Sequence, residues 1–78
     1  MRTKKYARDL KVGDLLYHWD NEGPPEAITR ISQDVTYTQD GIAMNNEGYL
    51  VFKCKTYTMR VHRNDIRNIE SNMLDKRN

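Results

Sequence analysis

The chain has 78 residues, of which 31% are charged and 37% are hydrophobic, and its formal net charge is +2. A chain of this length has room for one domain with one small core. The nearly balanced charge excludes the high net charge that is typical of disordered chains. We therefore expect a folded but marginal domain, with a free energy of unfolding of roughly 3–5 kcal/mol.

The basic segment at residues 1–9 opens the chain. We expect it to be an N-terminal arm that is irregular or forms one helical turn. A strand signal follows in Val12-Gly13-Asp14, where Gly13 can turn the backbone and Asp14 can hydrogen-bond local amides. The alternation after this point predicts a first strand. Its predicted apolar face consists of Leu15, Tyr17 and Trp19.

The middle of the chain predicts short strands separated by turns. Residues 20–25 are rich in turn formers and predict a loop. The predicted strands lie at residues 27–31, 35–38 and 42–44. Ile28 and Ile31 are three apart, so the first of these strands needs a bulge. Asp40-Gly41 predicts a tight hairpin turn, and residues 45–48 predict a second turn.

The last third of the chain changes its side-chain parity. Apolar residues occupy even positions from 50 to 54 and odd positions from 57 to 61. A turn or a bulge is therefore required at residues 55–56. Two alternatives remain open after Val61: a helix capped by Asn64, or a 3₁₀ turn at 63–66 followed by a strand at 67–70. The second is favoured because the preceding strands need a closing strand.

These patterns together predict the core and the domain limits. The domain is expected at residues 10–70, and residues 71–78 are expected to be a frayed tail. The predicted core consists of Val12, Leu15, Tyr17, Ile28, Ile31, Leu50, Phe52, Met59, Val61 and Ile66.

Residues 10–69 resemble SH3-like barrels, which are small, partly open β-barrels. The resemblance rests on the Val-Gly-Asp start at 12–14, the long loop at 18–25, residues 45–48 as the tip of the distal hairpin, and a 3₁₀ turn within 61–66. It implies an all-β fold of five or six short strands with a 3₁₀ turn or short helix near the C-terminus. The size and polarity of the chain also look like those of a small bacteriophage-encoded protein.

The sequence offers little material for catalysis or metal binding. His18, Cys54 and His62 lack the spacing of chelating residues, and structural zinc sites usually need four ligands. The carboxylates fall at turns, in loops or at strand ends, and no glycine loop that would cradle a phosphate is present. We therefore predict no catalytic residue, no metal site and no cofactor, and a protein that is not an enzyme.

Cysteine usage and hydropathy indicate a compartment. Cys54 is the single cysteine, which excludes an internal disulfide and predicts a buried thiol in a reducing compartment. The basic start lacks the apolar stretch of a signal peptide. No apolar run approaches the roughly 20 residues that cross a bilayer. We expect a cytoplasmic protein without a membrane partner, in the host cytoplasm if it is viral.

Basic residues interleaved with tyrosines are the strongest functional signal. One group surrounds Tyr6 and a second surrounds Tyr57. A basic patch beside a flexible basic arm is typical of proteins that bind phosphates, and exposed tyrosines can stack on bases. The predicted contacts to nucleic acid or a nucleotide are Lys4, Lys5, Arg8, Lys53, Lys55, Tyr57, Arg60 and Arg63.

A protein-binding module is the alternative function. The predicted aromatic patch for a protein partner consists of Tyr17, Trp19, Pro24 and Pro25. Tryptophan and tyrosine are enriched among the residues that dominate binding energy at interfaces. A phage product that binds and inhibits a host protein would be such a module. A homodimer through a strand edge is compatible with either function, because a partly open barrel leaves backbone groups unpaired.

Overall fold

The fold is described from a computed structural model, which covers residues 2–18 and 23–70. The strands are β1 (Arg2–Tyr6), β2 (Leu15–Leu16), β3 (Glu26–Ala27), β4 (Arg30–Tyr37), β5 (Ala43–Lys53), β6 (Thr58–His62) and β7 (Ile66–Glu70). A 3₁₀ turn, η1, covers Ala7–Asp9 between β1 and β2. The prediction of a small all-β domain is confirmed, and the SH3-like resemblance stays a prediction.

Two antiparallel sheets enclose the core. One sheet has the order β1-β7-β2-β3 and the other has the order β4-β5-β6. Buried side chains come from both sheets and pack as one cluster, so the core lies between two layers. The buried cluster consists of Ala7, Leu10, Leu16, Ile28, Phe52, Cys54, Met59, Val61 and Ile69.

The first nine residues are not an irregular arm in the part that the structure describes. β1 pairs along its whole length with β7, from Arg2 opposite Glu70 to Tyr6 opposite Ile66. Ala7 is fully buried, and its N–H donates to the carbonyl of Asp65 at 2.8 Å. The prediction failed for residues 2–6, because β1 carries charged residues on its exposed face and shows no hydrophobic period. Its order comes from a partner strand about 60 residues away in sequence. Residues 7–9 do form a single 3₁₀ turn, which agrees with the alternative of one helical turn.

The predicted face of the first strand is wrong. Leu16 is fully buried, whereas Leu15 is half-buried and Val12 is exposed. Gly13, with φ of +99°, donates its N–H to the carbonyl of Ile28, so the chain enters β2 through a turn that reverses the expected parity. Tyr17 is nevertheless buried, because β2 ends at Leu16 and the alternation ends with it. Trp19 lies outside the described residues.

The predicted strand at 27–31 is divided between the two sheets. β3 ends at Ala27 and β4 begins at Arg30, and Ile28 is buried where the chain crosses from one sheet to the other. The spacing of Ile28 and Ile31 therefore reflects a break between two strands, and the predicted bulge is not needed there. Ile31 is half-buried and packs against the core from the second sheet.

The two turn predictions in the middle of the chain have opposite outcomes. The turn at Asp40-Gly41 is confirmed, and the N–H of Gly41 donates to the carbonyl of Thr38 at 2.9 Å. Residues 45–48 form no turn and no hairpin tip, because they lie within β5. The pairing jumps there from Gln33 opposite Leu50 to Val35 opposite Asn45, so residues 46–49 stand opposite Asp34 alone and form a large bulge. The chain has already reversed at Gly41.

The C-terminal third follows the sequence pattern closely. The N–H of Cys54 donates to the carbonyl of Tyr57, which confirms the turn at 55–56 and the change of parity. β7 confirms the closing strand and excludes the helix. The turn before it is an ordinary hydrogen-bonded turn, with 3₁₀ geometry present at η1 instead. Ile66 is exposed opposite Tyr6, and Ile69 takes the core position that was expected of Ile66.

Candidate functional site

The structure distributes the predicted phosphate-binding residues over several surfaces. Arg8 and Arg63 line one cleft. Lys53 and Arg60 point outward from the three-stranded sheet, as their parity predicts. Lys4 is exposed on β1. The predicted patch is therefore not continuous, and its two arginines in the cleft are the pair that the fold brings together.

The arginine cleft, as we call it, lies where η1, the turn after β6 and the β5 bulge meet. Its volume is about 330 Å³, which is at the lower end of the range for small-molecule sites, roughly 300–1,000 Å³. Its lining residues are Arg8, Gln33, Glu47, Gly48, Leu50 and Arg63.

Backbone hydrogen bonds hold the two arginines beside each other. The N–H of Arg8 donates to the carbonyl of Arg63 at 3.1 Å, and the N–H of Arg63 donates to the carbonyl of Gly48 at 2.7 Å. The Arg8 guanidinium donates from Nη1 to Oδ1 of Asn64 at 2.8 Å and lies 4.3 Å from the ring centroid of Tyr6. Three distant segments of the chain therefore fix the position of one basic pair.

Gly48 allows the bulge to approach the end of β6. Its φ is +88°, a conformation that side chains with a Cβ rarely adopt. A Cβ at this position would lie 2.9 Å from Nε2 of His62. The His62 ring in turn packs edge-on against Tyr49, with 5.0 Å between the ring centroids. A residue other than glycine would therefore displace the His62 ring from its place beside Tyr49.

The lining of the arginine cleft suits a phosphate with a polar or partly apolar extension. Guanidinium groups bind phosphate and carboxylate oxygens through paired hydrogen bonds. Glu47 is the one carboxylate in the lining and opposes the two positive charges. Gln33 offers an amide that donates and accepts, and Leu50 offers an apolar contact. Sequence reasoning missed Gln33 and Glu47, because only the bulge and the β4 pairing place them here.

Arg60 has a structural partner on the outer face. Its Nε donates to Oδ2 of Asp34 at 2.5 Å, and its guanidinium lies 4.0 Å from the ring centroid of Tyr49. Asn46 also donates to Oδ2 of Asp34. The hydrogen bonds from Arg60 and Asn46 lower the pKa of Asp34. Arg60 thus holds the base of the hairpin, which makes it a weaker candidate for ligand binding than Arg8 or Arg63.

The predicted lysines also differ in whether they have a structural partner. Nζ of Lys5 lies 3.7 Å from Oδ2 of Asp14, so this half-buried lysine is paired at the turn before β2. Lys53 stands directly opposite Arg30 on the outer face, and Lys55 is exposed in the following turn. Like charges opposite each other destabilise a sheet. None of these lysines lines the arginine cleft.

Tyr57 joins the two sheets. It is half-buried against the core, and its hydroxyl donates to the carbonyl of Leu16. His18 packs edge-on against it, with 4.7 Å between the ring centroids. Burial raises the pKa of the Tyr57 hydroxyl. Among the tyrosines near basic residues, Tyr6 is the exposed one, and it lies beside the arginine cleft next to Arg8.

Of the aromatic patch predicted for a protein partner, Tyr17 is buried and Trp19 lies outside the described residues. Tyr17 is 8% exposed, and its hydroxyl donates to Oε1 of Glu70 at 2.6 Å. The guanidinium of Arg2 covers its ring at 4.1 Å from the centroid. Pro24 is exposed and Pro25 is half-buried. Tyr17 therefore belongs to the core, as the core prediction states, and is a poor anchor for a partner.

Cys54 is a free, buried thiol, and burial raises its pKa. Within residues 2–18 and 23–70, no three side chains of His, Cys, Asp or Glu are grouped so that they could hold a metal ion. No helix in this part of the chain has the length and apolarity to cross a bilayer.

Comparison of the chain with protein families, with curated proteins and with solved structures gives no match.

Proposed function

We propose that the chain is a non-enzymatic binding module that takes a phosphate group of a nucleic acid or a nucleotide into the arginine cleft. The observation that carries this proposal is the meeting of Arg8 and Arg63 in one cleft of about 330 Å³, held by backbone hydrogen bonds. Both arginines belong to the basic residues interleaved with tyrosines that the sequence predicts as phosphate contacts. Their convergence from opposite ends of the chain supports a shared ligand.

The surroundings of the arginine cleft favour a nucleic acid or nucleotide over a bare anion. Gln33 can hydrogen-bond a sugar or base, and Leu50 can contact an apolar ring surface. Tyr6 lies beside Arg8 and is exposed enough to stack on a base. Lys4 is exposed on the same strand, two residues before Tyr6. Phosphate contacts of this kind supply affinity without reading sequence.

Binding to a labelled single-stranded oligonucleotide, followed by fluorescence anisotropy, tests the proposal. Arg8→Ala and Arg63→Ala should each weaken binding by about 10- to 100-fold, since each removes a charge-assisted contact of about 1.5–3 kcal/mol. Arg30→Ala is the matched control, because Arg30 is an exposed arginine on β4 that does not line the cleft. The affinity of the wild type should fall steeply with salt.

A substitution at Glu47 should change the affinity in the opposite direction from the arginine variants. Glu47→Gln removes the opposing carboxylate and should tighten binding of the same oligonucleotide, whereas the arginine variants weaken it. Competition with a free mononucleotide distinguishes the two ligands, because a nucleotide module would release the oligonucleotide at low nucleotide concentrations. An equal loss in Arg30→Ala and Arg63→Ala, or an affinity that does not depend on salt, would contradict a role for the cleft.

A protein partner is the second candidate, and exposed apolar residues at the end of the β4–β5 hairpin favour it. Tyr37, Ile42 and Met44 are exposed at 70%, 60% and 56%. Such a partner would be a host protein if the chain is a phage product, and the free edge of the sheet also offers a place for a second copy of the chain. The lone buried Cys54 supports a reducing, cytoplasmic compartment for either function.

A further inference from the structure

β4 has one side without a partner strand. β5 pairs with its other side, and within residues 2–18 and 23–70 no strand pairs with the outer side. β4 is eight residues long, and its sequence contains neither lysine nor proline, which are the residues that commonly protect a sheet edge. Its charged residues are Arg30 at the start of the strand and Asp34, whose carboxylate is held by Arg60 and Asn46. A strand edge of this length with a free row of backbone groups is a template for another strand.

The hairpin that contains β4 differs in charge from the rest of the chain. All 13 basic residues and eight of the 11 acidic residues lie outside residues 31–52, so this segment carries −3 and the remainder carries +5. The hairpin end (residues 35–45) also exposes large apolar side chains. A two-stranded hairpin is marginally stable by itself in water. The remainder of the chain is basic, so a second copy of the chain can supply charge opposite to that of the hairpin.

We infer that two copies of this chain pair edge to edge through β4, antiparallel, about a two-fold axis at Gln33. In this antiparallel register Thr36 lies opposite Arg30 of the second copy. The hairpin end of each copy, which carries Asp40 and no basic residue, therefore lies next to the pair of Arg30 and Lys53 in the other copy. Directly opposite residues in such a pair lie on the same face. A two-fold axis perpendicular to the sheet therefore pairs one residue with its own copy, and the two central residues of β4 are Gln33 and Asp34.

The side chains select Gln33. An axis at Asp34 would set two carboxylates opposite each other, which destabilises a sheet. An axis at Gln33 pairs two amides that can hydrogen-bond each other. The same register sets Ser32 opposite Asp34 of the second copy and Ile31 opposite Val35 of the second copy, so a hydroxyl meets a carboxylate and two apolar residues meet.

This register has a consequence for the arginine cleft, which rests on the proposed function. Gln33 lines the cleft and lies at the free edge. Because the axis keeps equivalent faces on one side of the joined sheet, the clefts of the two copies would lie next to each other. Four arginines, Arg8 and Arg63 from each copy, would then border one groove.

Sedimentation of the full chain without ligand tests the pairing, over protein concentrations of about 1–100 μM. The wild type should shift from monomer to dimer over this range. Gln33→Lys and Gln33→Glu should each weaken the dimer by about tenfold or more, since each sets like charges opposite each other on the axis. An equimolar mixture of the two variants should restore dimers, because unlike charges then meet. Thr58→Glu, on the opposite edge of the sheet and opposite Lys53, is the control and should dimerise like the wild type.

A wild type that stays monomeric throughout would overturn the inference, as would Gln33 variants that dimerise normally or a mixture that does not associate. Circular-dichroism melting of each variant identifies one that fails to fold, and the wild-type concentration series still decides the question in that case. The measurement contains no ligand, so it is independent of the proposed phosphate binding. Arg63→Ala should lose oligonucleotide affinity and keep its dimer, which distinguishes failure of one proposal from failure of the other.

Discussion

The two halves of β5 show how one strand can serve two purposes. Residues 43–45 and 50–53 both pair with β4, yet Phe52 is fully buried and Met44 is 56% exposed. The difference lies in the second layer. The four-stranded sheet covers the half that contains Phe52, and side chains from both sheets form the core there. Hydrogen bonding thus defines the strand, whereas the covering layer decides which half stabilises the fold and which half faces a partner.

Truncation of one large side chain in each half of β5 should give the largest difference in the free energy of unfolding. Phe52→Ala should cost about 3–5 kcal/mol, because it leaves a cavity in the core. That cost approaches the whole stability of a domain of this size, roughly 3–5 kcal/mol, so the variant should be largely unfolded at 25 °C. Met44→Ala should change the free energy of unfolding by about 0.5 kcal/mol or less. Urea unfolding measures both, and similar losses in the two variants would contradict the division.

Local patterns explain which parts of the fold could be predicted from the sequence. The positions of Phe52, Met59 and Val61 follow from strand parity around a tight turn, and the turn at Gly41 follows from its own residues. β1 could not be predicted, because a charged strand owes its order to β7 at the other end of the described chain. Residues 45–48 have the composition of a turn, but β4 pairs with β5 on both sides of this segment. The segment therefore forms a bulge instead of a turn.

The residues of the candidate site also differ in whether they could be predicted from the sequence. Charge pointed to Arg8 and Arg63, since basic residues near tyrosines can be read directly from a sequence. Nothing local pointed to Gln33 or Glu47, which reach the arginine cleft through the β4–β5 pairing and its bulge. Tyr57 was expected at a surface and instead joins the sheets through Leu16. Chemistry was therefore predictable residue by residue, whereas convergence required the fold.

Two glycines with the same backbone conformation allow a sharper comparison. Gly41 in the hairpin end has φ of +81° and open space around it, whereas a Cβ on Gly48 would lie 2.9 Å from Nε2 of His62. Gly41→Ala should cost about 1 kcal/mol from backbone strain, and Gly48→Ala should cost about 2–3 kcal/mol because His62 must also move. Thermal melting measures the difference.

The same pair reports on the cleft. Gly48→Ala should weaken oligonucleotide binding, since the carbonyl of Gly48 positions the backbone of Arg63, and Gly41→Ala should leave binding unchanged. Equal melting temperatures for the two variants would show that His62 adapts freely and that the bulge is not rigid.

Asp34 stands where the two halves meet, and its titration should give the smallest effect. Hydrogen bonds from Arg60 and Asn46 lower its pKa in the folded state, below the ordinary value of about 3.9. A lowered folded-state pKa stabilises the fold above the unfolded value, and this stabilisation is lost as the pH falls through the folded value. The melting temperature of the wild type should therefore decrease as the pH is lowered below about 4. Asp34→Asn should melt at a lower temperature at neutral pH, and its melting temperature should decrease less at acidic pH.

Glu26, whose pKa is lowered by hydrogen bonds from Thr56, supplies the matched variant Glu26→Gln away from the hairpin. Loss of amide protection at residues 35–37, without loss at Phe52, should accompany the Asp34 substitution alone. If Glu26→Gln opens the hairpin end to the same extent, the clamp by Arg60 is not what joins it to the rest of the fold.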